Sequence, residues 1–140
     1  MKKTAEEKLN EIQNIEVDEF STPCSICCIA SENVNSLKLK MTESNIRHIP
    51  VMDNNKPVGI VSDRDLHNLS EDSTLTAADL MIADPYFVES GTMLKDVVFH
   101  MAEKKLGSAL IMGDSNDELL IFTSTDALNA LNEVLRGGVI

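Results

Sequence analysis

From position 17 onward the sequence is written twice, and this duplication constrains the fold more than any other feature. Val17-Asp18-Glu19-Phe20 lies over Ala77-Ala78-Asp79-Leu80 at an offset of 60, and Val34, Leu37 and Met41 lie over Leu94, Val97 and Met101. The same offset carries Ile46 to Leu106, Ile49 to Ala109, Val51 to Ile111 and Met52 to Met112. Asp53-Asn54-Asn55-Lys56-Pro57-Val58 is then one residue shorter than Gly113-Asp114-Ser115-Asn116-Asp117-Glu118-Leu119, and the offset becomes 61. Ile60-Val61-Ser62 now lies over Ile121-Phe122-Thr123, Asp65 over Asp126 and Leu69 over Ala130. The slip falls in a polar, turn-rich connection, where a hairpin accepts an extra residue. An apolar phase kept on both sides of one insertion marks a duplicated structural unit.

Each copy reads as β-α-β-β-α. A first strand (25–29; 86–89) leads to a helix (about 32–43; about 92–104) capped by Ser31 or Gly91, whose apolar residues recur three and four apart. A second strand (47–52; 108–112), a hairpin and a third strand (57–61; 119–123) follow, and a last helix begins at Asp63 and at Ser124. One such unit buries too little surface to be stable alone. Two packed sheet to sheet with pseudo-two-fold symmetry remove that difficulty, which makes the fold class α/β. Ahead of them, Thr4-Ala5-Glu6-Glu7 fits a capping box, and Ala5, Leu9 and Ile12 form an apolar stripe, so a helix is expected over about 4–14. The expected organisation is an N-terminal helix in 1–16, a first repeat over 17–68, a polar linker over 69–76 and a second repeat over 77–136.

Charge and composition remove several classes of function. A net charge of −11, with no cluster of four or more Lys or Arg, argues against nucleic acid as partner, because phosphate binding needs a basic face. No apolar run approaches the roughly 18 residues a membrane span needs, and Met1-Lys2-Lys3 is not followed by the apolar region of a secretory signal. The expected compartment is the cytoplasm. Cys24-Ser25-Ile26-Cys27 matches C-x-x-C, but the run through Ile29 reads as a buried strand, with no helix start to stabilise a thiolate and no second pair to complete a zinc site. His67 and His100 lie on expected helices without metal-spaced partners, and Met41, Met52, Met81, Met101 and Met112 read as core filler.

Ile46-Arg47-His48-Ile49-Pro50-Val51-Met52-Asp53, followed by Pro57-Val58-Gly59-Ile60-Val61-Ser62-Asp63-Arg64-Asp65-Leu66, closely resembles the most recognisable stretch of a CBS (cystathionine-β-synthase-type) domain. Phe20-Ser21-Thr22-Pro23 and Leu80-Met81 fit that family's lead-in to the first strand. The resemblance covers 17–67 and 77–135 and is weaker in the second copy, where Leu110 stands for Pro50, Leu120 for Gly59 and Gly107-Ser108 for Arg47-His48. It implies a tandem pair that holds an adenosine-type ligand (AMP, ADP, ATP or S-adenosylmethionine) in the crevices between repeats. It also implies no catalytic site or cofactor, and commonly a homodimer formed through the helices after each third strand.

The family's S/T-x-x-D ribose motif is matched by Ser62-x-x-Asp65 and Thr123-x-x-Asp126. The chemistry also stands by itself. A carboxylate is the natural acceptor for two vicinal ribose hydroxyls, and a hydroxyl with helix N-terminal N–H groups can meet phosphate. The same spacing equally describes a helix N-cap. The resemblance implies phosphate contacts from Arg47 and His48, with Arg64 as a lesser candidate, Arg being suited to bidentate binding, while Ile26 and Val88 on the first strands complete the candidate set. The leading expectation is a regulatory ligand sensor acting on an unidentified partner. Its alternative is a ligand-free dimerisation scaffold, and a cysteine enzyme stands third because no base adjoins Cys24 or Cys27 in the sequence.

Overall fold

A computed structural model describes residues 2–113 and 118–137 of the chain; part of the expected hairpin connection at 113–119 lies outside them. Helix α1 (Ala5–Gln13) starts where expected, with Thr4 Oγ1 accepting the Glu7 N–H at 3.1 Å. A 3-10 turn (Val17–Phe20) and the two-residue strand β1 (Thr22–Pro23) follow. Next come α2 (Val34–Ser44), β2 (His48–Asp53), β3 (Lys56–Ser62) and the single turn α3 (Asp63–Leu66). The second copy runs α4 (Ala77–Leu80), β4 (Ile82–Ala83), β5 (Phe87–Glu89), α5 (Leu94–Lys104), β6 (Ser108–Met112), β7 (Leu119–Thr123) and α6 (Ser124–Leu135). Helices α2 and α5 bury Val34, Leu37 and Met41, and Leu94, Val97 and Met101, the stripe that the three-and-four spacing demands. Their caps differ from expectation. Asn33, not Ser31, takes the Ser36 N–H at 2.8 Å, and Met93, not Gly91, precedes α5 without a side-chain cap. The two-residue loop between β2 and β3 holds Asn54 and Asn55 at φ of 50° and 62°, the left-handed pair that Asn tolerates in a hairpin turn.

The compact units in space are cut at different points from the repeats in sequence. One unit is Ser25–Pro85; the other joins Met1–Cys24 to Tyr86–Ile140. Each repeat therefore gives its lead-in to the other repeat's unit. The register shows this directly: β1 pairs with β7 through Thr22↔Ile121 and Pro23↔Leu120, and β4 pairs with β3 through Ile82↔Ile60 and Ala83↔Gly59. The helical lead-ins follow suit, with Val17 N–H bonded to Thr92 O and Ala77 N–H to Glu32 O, both at 2.8 Å. In the discontinuous unit the sheet order is β1-β7-β6-β5, and Ile15 and Val17 enter a core with Val97, Met101, Ile111 and Phe122. In the continuous unit the order is β2-β3-β4, and Ala77 joins Leu37, Ile49, Val51 and Val61.

Side-chain volume matches this crossed pairing. A Cβ on Gly59 would lie 2.3 Å from Met81 Sδ and 3.0 Å from Met81 Cβ, so the missing side chain makes room for Met81. In the other unit the equivalent positions are Leu120 and Ser21, with the bulk on the opposite partner. Asp18 fastens the second lead-in. Its carboxylate accepts Ser90 Oγ–H at 2.5 Å and the N–H of Gly91 at 2.8 Å, where Gly91 holds φ +89°. Burial raises the Asp18 pKa, but these two hydrogen bonds outweigh it and hold the carboxyl below its usual value.

The expected first strand over 25–29 is reduced to one bridge, Cys28↔Val51, against the three-residue β5 of the second copy. The cause is Pro50. Its counterpart Leu110 donates an N–H to Tyr86 O at 2.8 Å, and a proline has no N–H to give. Ile29 consequently lies outside any strand and is 58% exposed. Cys28 is buried, and burial pushes its thiol up to about 11, so at neutral pH it is a protonated packing group. Among the described residues no disulfide joins Cys24, Cys27 and Cys28.

Candidate functional site

In the Ser25–Pro85 unit, the end of β3 and the start of β2 bring five candidate residues together. His48 pairs with Ser62 across the two strands, and the carbonyl of Arg47 takes the Asp63 N–H at 2.9 Å. Asp65 folds back from α3, and its Oδ2 accepts both the Ser62 N–H at 2.9 Å and the Ser62 hydroxyl at 3.0 Å. Among the described residues Oδ1 accepts nothing. Arg47 and Arg64 are exposed, and their guanidinium groups make no hydrogen bond or ion pair among the described residues. Ile26 is half-buried just ahead of the Cys28 bridge.

His48 is half-buried, and burial is the largest influence on it, lowering its pKa; Asp63 and Asp65 pull upward and Arg47 adds to the lowering. The folded chain thus binds a proton at His48 less readily than the unfolded chain does. Its contribution to stability is present above the ordinary value of 6.5 and is lost as pH falls through the lower folded value. Denaturant midpoints are expected to fall with pH over that range, and His48→Gln should flatten the decline.

The other unit repeats the backbone arrangement. Ser108 pairs with Thr123, Gly107 O takes the Ser124 N–H at 3.1 Å, and Asp126 Oδ2 accepts the Thr123 N–H at 2.8 Å and its hydroxyl at 3.2 Å. Val88 sits opposite Ile111 on β5 and packs against this unit's own core. Tyr86, at the position equivalent to Ile26, lies 4.2 Å between ring centroids from His100, so His100 has a ring partner that no sequence spacing points to.

The same hydroxyl-x-x-carboxylate spacing occurs a third time, outside the two motifs that the resemblance picks out. Thr76-x-x-Asp79 opens α4 with Asp79 Oδ2 on the Thr76 N–H at 2.9 Å and on its hydroxyl at 3.0 Å. The hydroxyl-carboxylate geometry is therefore that of a helix cap wherever it occurs. What sets Ser62–Asp65 and Thr123–Asp126 apart is location: both end a hairpin strand, and both carboxylates are half-buried, whereas Asp79 is exposed.

Two α/β repeats, each ending its hairpin in such a box and each completed by the other's lead-in, define a paired-repeat module. The chain belongs to the CBS domain family: the family model matches residues 17–72 and 77–133, which makes it a tandem CBS pair. No curated protein sequence matches it. Among solved structures it is similar to the CBS domain of the bacterial CNNM/CorC family Mg2+ transporter in complex with ATP, with TM-score 0.77 and 18% identity over 90% of this chain and 93% of that one. It is also similar to CBSX2, a CBS-pair protein from Arabidopsis thaliana, in complex with AMP, with TM-score 0.69 and 23% identity over 86% and 98% of the two chains. A third similar structure is the CBS domain pair of protein MJ0100 with 5′-methylthioadenosine and S-adenosyl-L-methionine, at TM-score 0.73 and 18% identity over 84% and 95%. At these identities the likeness carries the fold. No helix among the described residues is long and apolar enough to cross a membrane.

Proposed function

We propose that the chain is a regulatory module that binds an adenosine-containing ligand, with the carboxylates of Asp65 and Asp126 taking ribose hydroxyls. The observation that carries this reading is that, among the described residues, Oδ1 of each half-buried carboxylate accepts no hydrogen bond and is fixed in direction because Oδ2 is committed to the cap. A carboxylate held in this way can accept two vicinal hydroxyls without reorganising. The reading is supported by fold relatives solved with AMP, with ATP, and with 5′-methylthioadenosine and S-adenosyl-L-methionine. Arg47, His48 and Arg64 are the proposed phosphate contacts, and Ile26 and Val88 the proposed flanking apolar contacts. Binding regulates a partner protein only through a difference in ligand affinity between two states of the module.

Titration calorimetry with AMP, ATP and S-adenosylmethionine tests the proposal. Hydrogen bonds to a charged group are worth about 1.5–3 kcal/mol, so Asp65→Ala should weaken its ligand about tenfold to a hundredfold. Unchanged nucleotide binding in a folded Asp65→Ala, Asp126→Ala double variant would retire the ribose assignment.

A second reading, a scaffold that acts by pairing, is favoured by α6. Leu128, Leu131 and Leu135 form a stripe there and are 65%, 51% and 76% exposed. A homodimer closed through this stripe would bury it. Sedimentation should show dimer at micromolar concentration and monomer for Leu131→Glu; a wild-type chain that stays monomeric at high concentration removes the scaffold reading.

A further inference from the structure

We propose that the two boxes take different ligands: a phosphorylated adenosine nucleotide at Ser62–Asp65, and an adenosine compound without phosphate at Thr123–Asp126. This rests on the adenosine-binding reading and refines it. The backbone scaffold is the same at both boxes. Arg47 O and Gly107 O each tie down the residue after the hydroxyl, through Asp63 N and Ser124 N, and His48 and Ser108 each pair with the hydroxyl residue itself. The side chains that surround the two scaffolds differ in charge. Arg47, His48, Asp63 and Arg64 at the first box are Gly107, Ser108, Ser124 and Thr125 at the second.

At the first box both guanidinium groups are exposed and, among the described residues, uncommitted, which suits bidentate capture of a phosphate. Asp63 and Asp65 balance these two charges, so the first box is neutral where the second carries Asp126 alone, and His48 adds positive charge as pH falls. At the second box a phosphate would meet the Asp126 carboxylate with no cation at positions 107, 108 or 125. The nearest basic residues in the chain there are Lys104 and Lys105, in the last turn and at the C-cap of α5, where they complement the carbonyl end of that helix. Those positions are Ser44 and Asn45 in the first copy. A neutral nucleoside loses nothing by the absence of cations, so the second box still recognises ribose.

Calorimetry on the full chain with AMP and with 5′-methylthioadenosine, singly and in competition, tests this. The expected result is that each ligand binds with the other at saturation. An Arg47→Ala, Arg64→Ala double variant should weaken AMP by about tenfold or more and leave 5′-methylthioadenosine within about twofold. Asp126→Ala should do the reverse, and a Lys104→Ala, Lys105→Ala double variant should leave AMP within about twofold. Thermal melts establish that each variant is folded. Displacement of AMP by 5′-methylthioadenosine overturns the proposal, as does equal weakening of both ligands by the arginine double variant, or loss of AMP in the lysine double variant. If the wild-type chain binds no adenosine ligand, the adenosine reading itself fails, and this outcome is distinct from one in which both ligands bind but compete.

Discussion

A fragment spanning residues 17–72, the first repeat as the family match delimits it, is expected not to fold, whereas residues 25–85 should fold reversibly. The first fragment lacks Ala77, which is fully buried, together with Leu80 and Met81, which pack on the same core, and it lacks β4 beside β3. It keeps instead Val17 and Phe20, whose packing partners are in the other unit. Fully burying a large apolar side chain contributes about 1.5–3 kcal/mol, and Leu80 and Met81 are each partly buried, so losing both removes roughly 1.5–3 kcal/mol. A domain of about sixty residues has in all roughly 3–9 kcal/mol to lose. Circular dichroism with urea titration, and amide dispersion in a proton–nitrogen spectrum, separate the outcomes. Equal folding of both fragments would mean that the crossed lead-in is dispensable.

Gly59→Leu should destabilise the continuous unit by about 1–3 kcal/mol, the usual cost of overpacking, because its Cβ already reaches the inner atoms of Met81 and not only the mobile sulfur. Adding Met81→Ser should recover most of that loss, since the two substitutions together would copy the Leu120 and Ser21 pair of the other unit. Residues in contact are where additivity fails, and a double-mutant cycle reads the coupling directly. Additive losses would show that Met81 can move aside and that the volume match does not specify the pairing.

The fold was legible where a local rule and the duplication agreed. The three-and-four spacing placed Val34, Leu37 and Met41 and their counterparts in the cores, and the turn signal at Asn54-Asn55 placed the hairpin. Two features were lost because the decisive partner lies far along the chain. Reading Cys24 to Ile29 as a strand ignored that the pairing strand presents Pro50, which cannot donate. The exchange of lead-ins leaves no periodicity at all; its trace is the reciprocal volumes of Gly59 with Met81 and Leu120 with Ser21, which only a register reveals. At the candidate site, spacing identified both hydroxyl-carboxylate boxes but could not separate them from Thr76–Asp79, since all three are local caps. Strand position and carboxylate burial make that distinction, and both are tertiary properties.

The interleaved chain path also dictates an order of assembly during synthesis. Residues 25–85 contain everything their core needs and can close as soon as they leave the ribosome. Ile15 and Val17 are made earlier yet must wait for Val97, Ile111 and Phe122. At about 5–20 residues per second that interval is on the order of several seconds, long compared with helix formation or collapse. Ile15 and Val17 are therefore buried after a unit that is made later than they are, and their apolar side chains are ones a holding chaperone would meet.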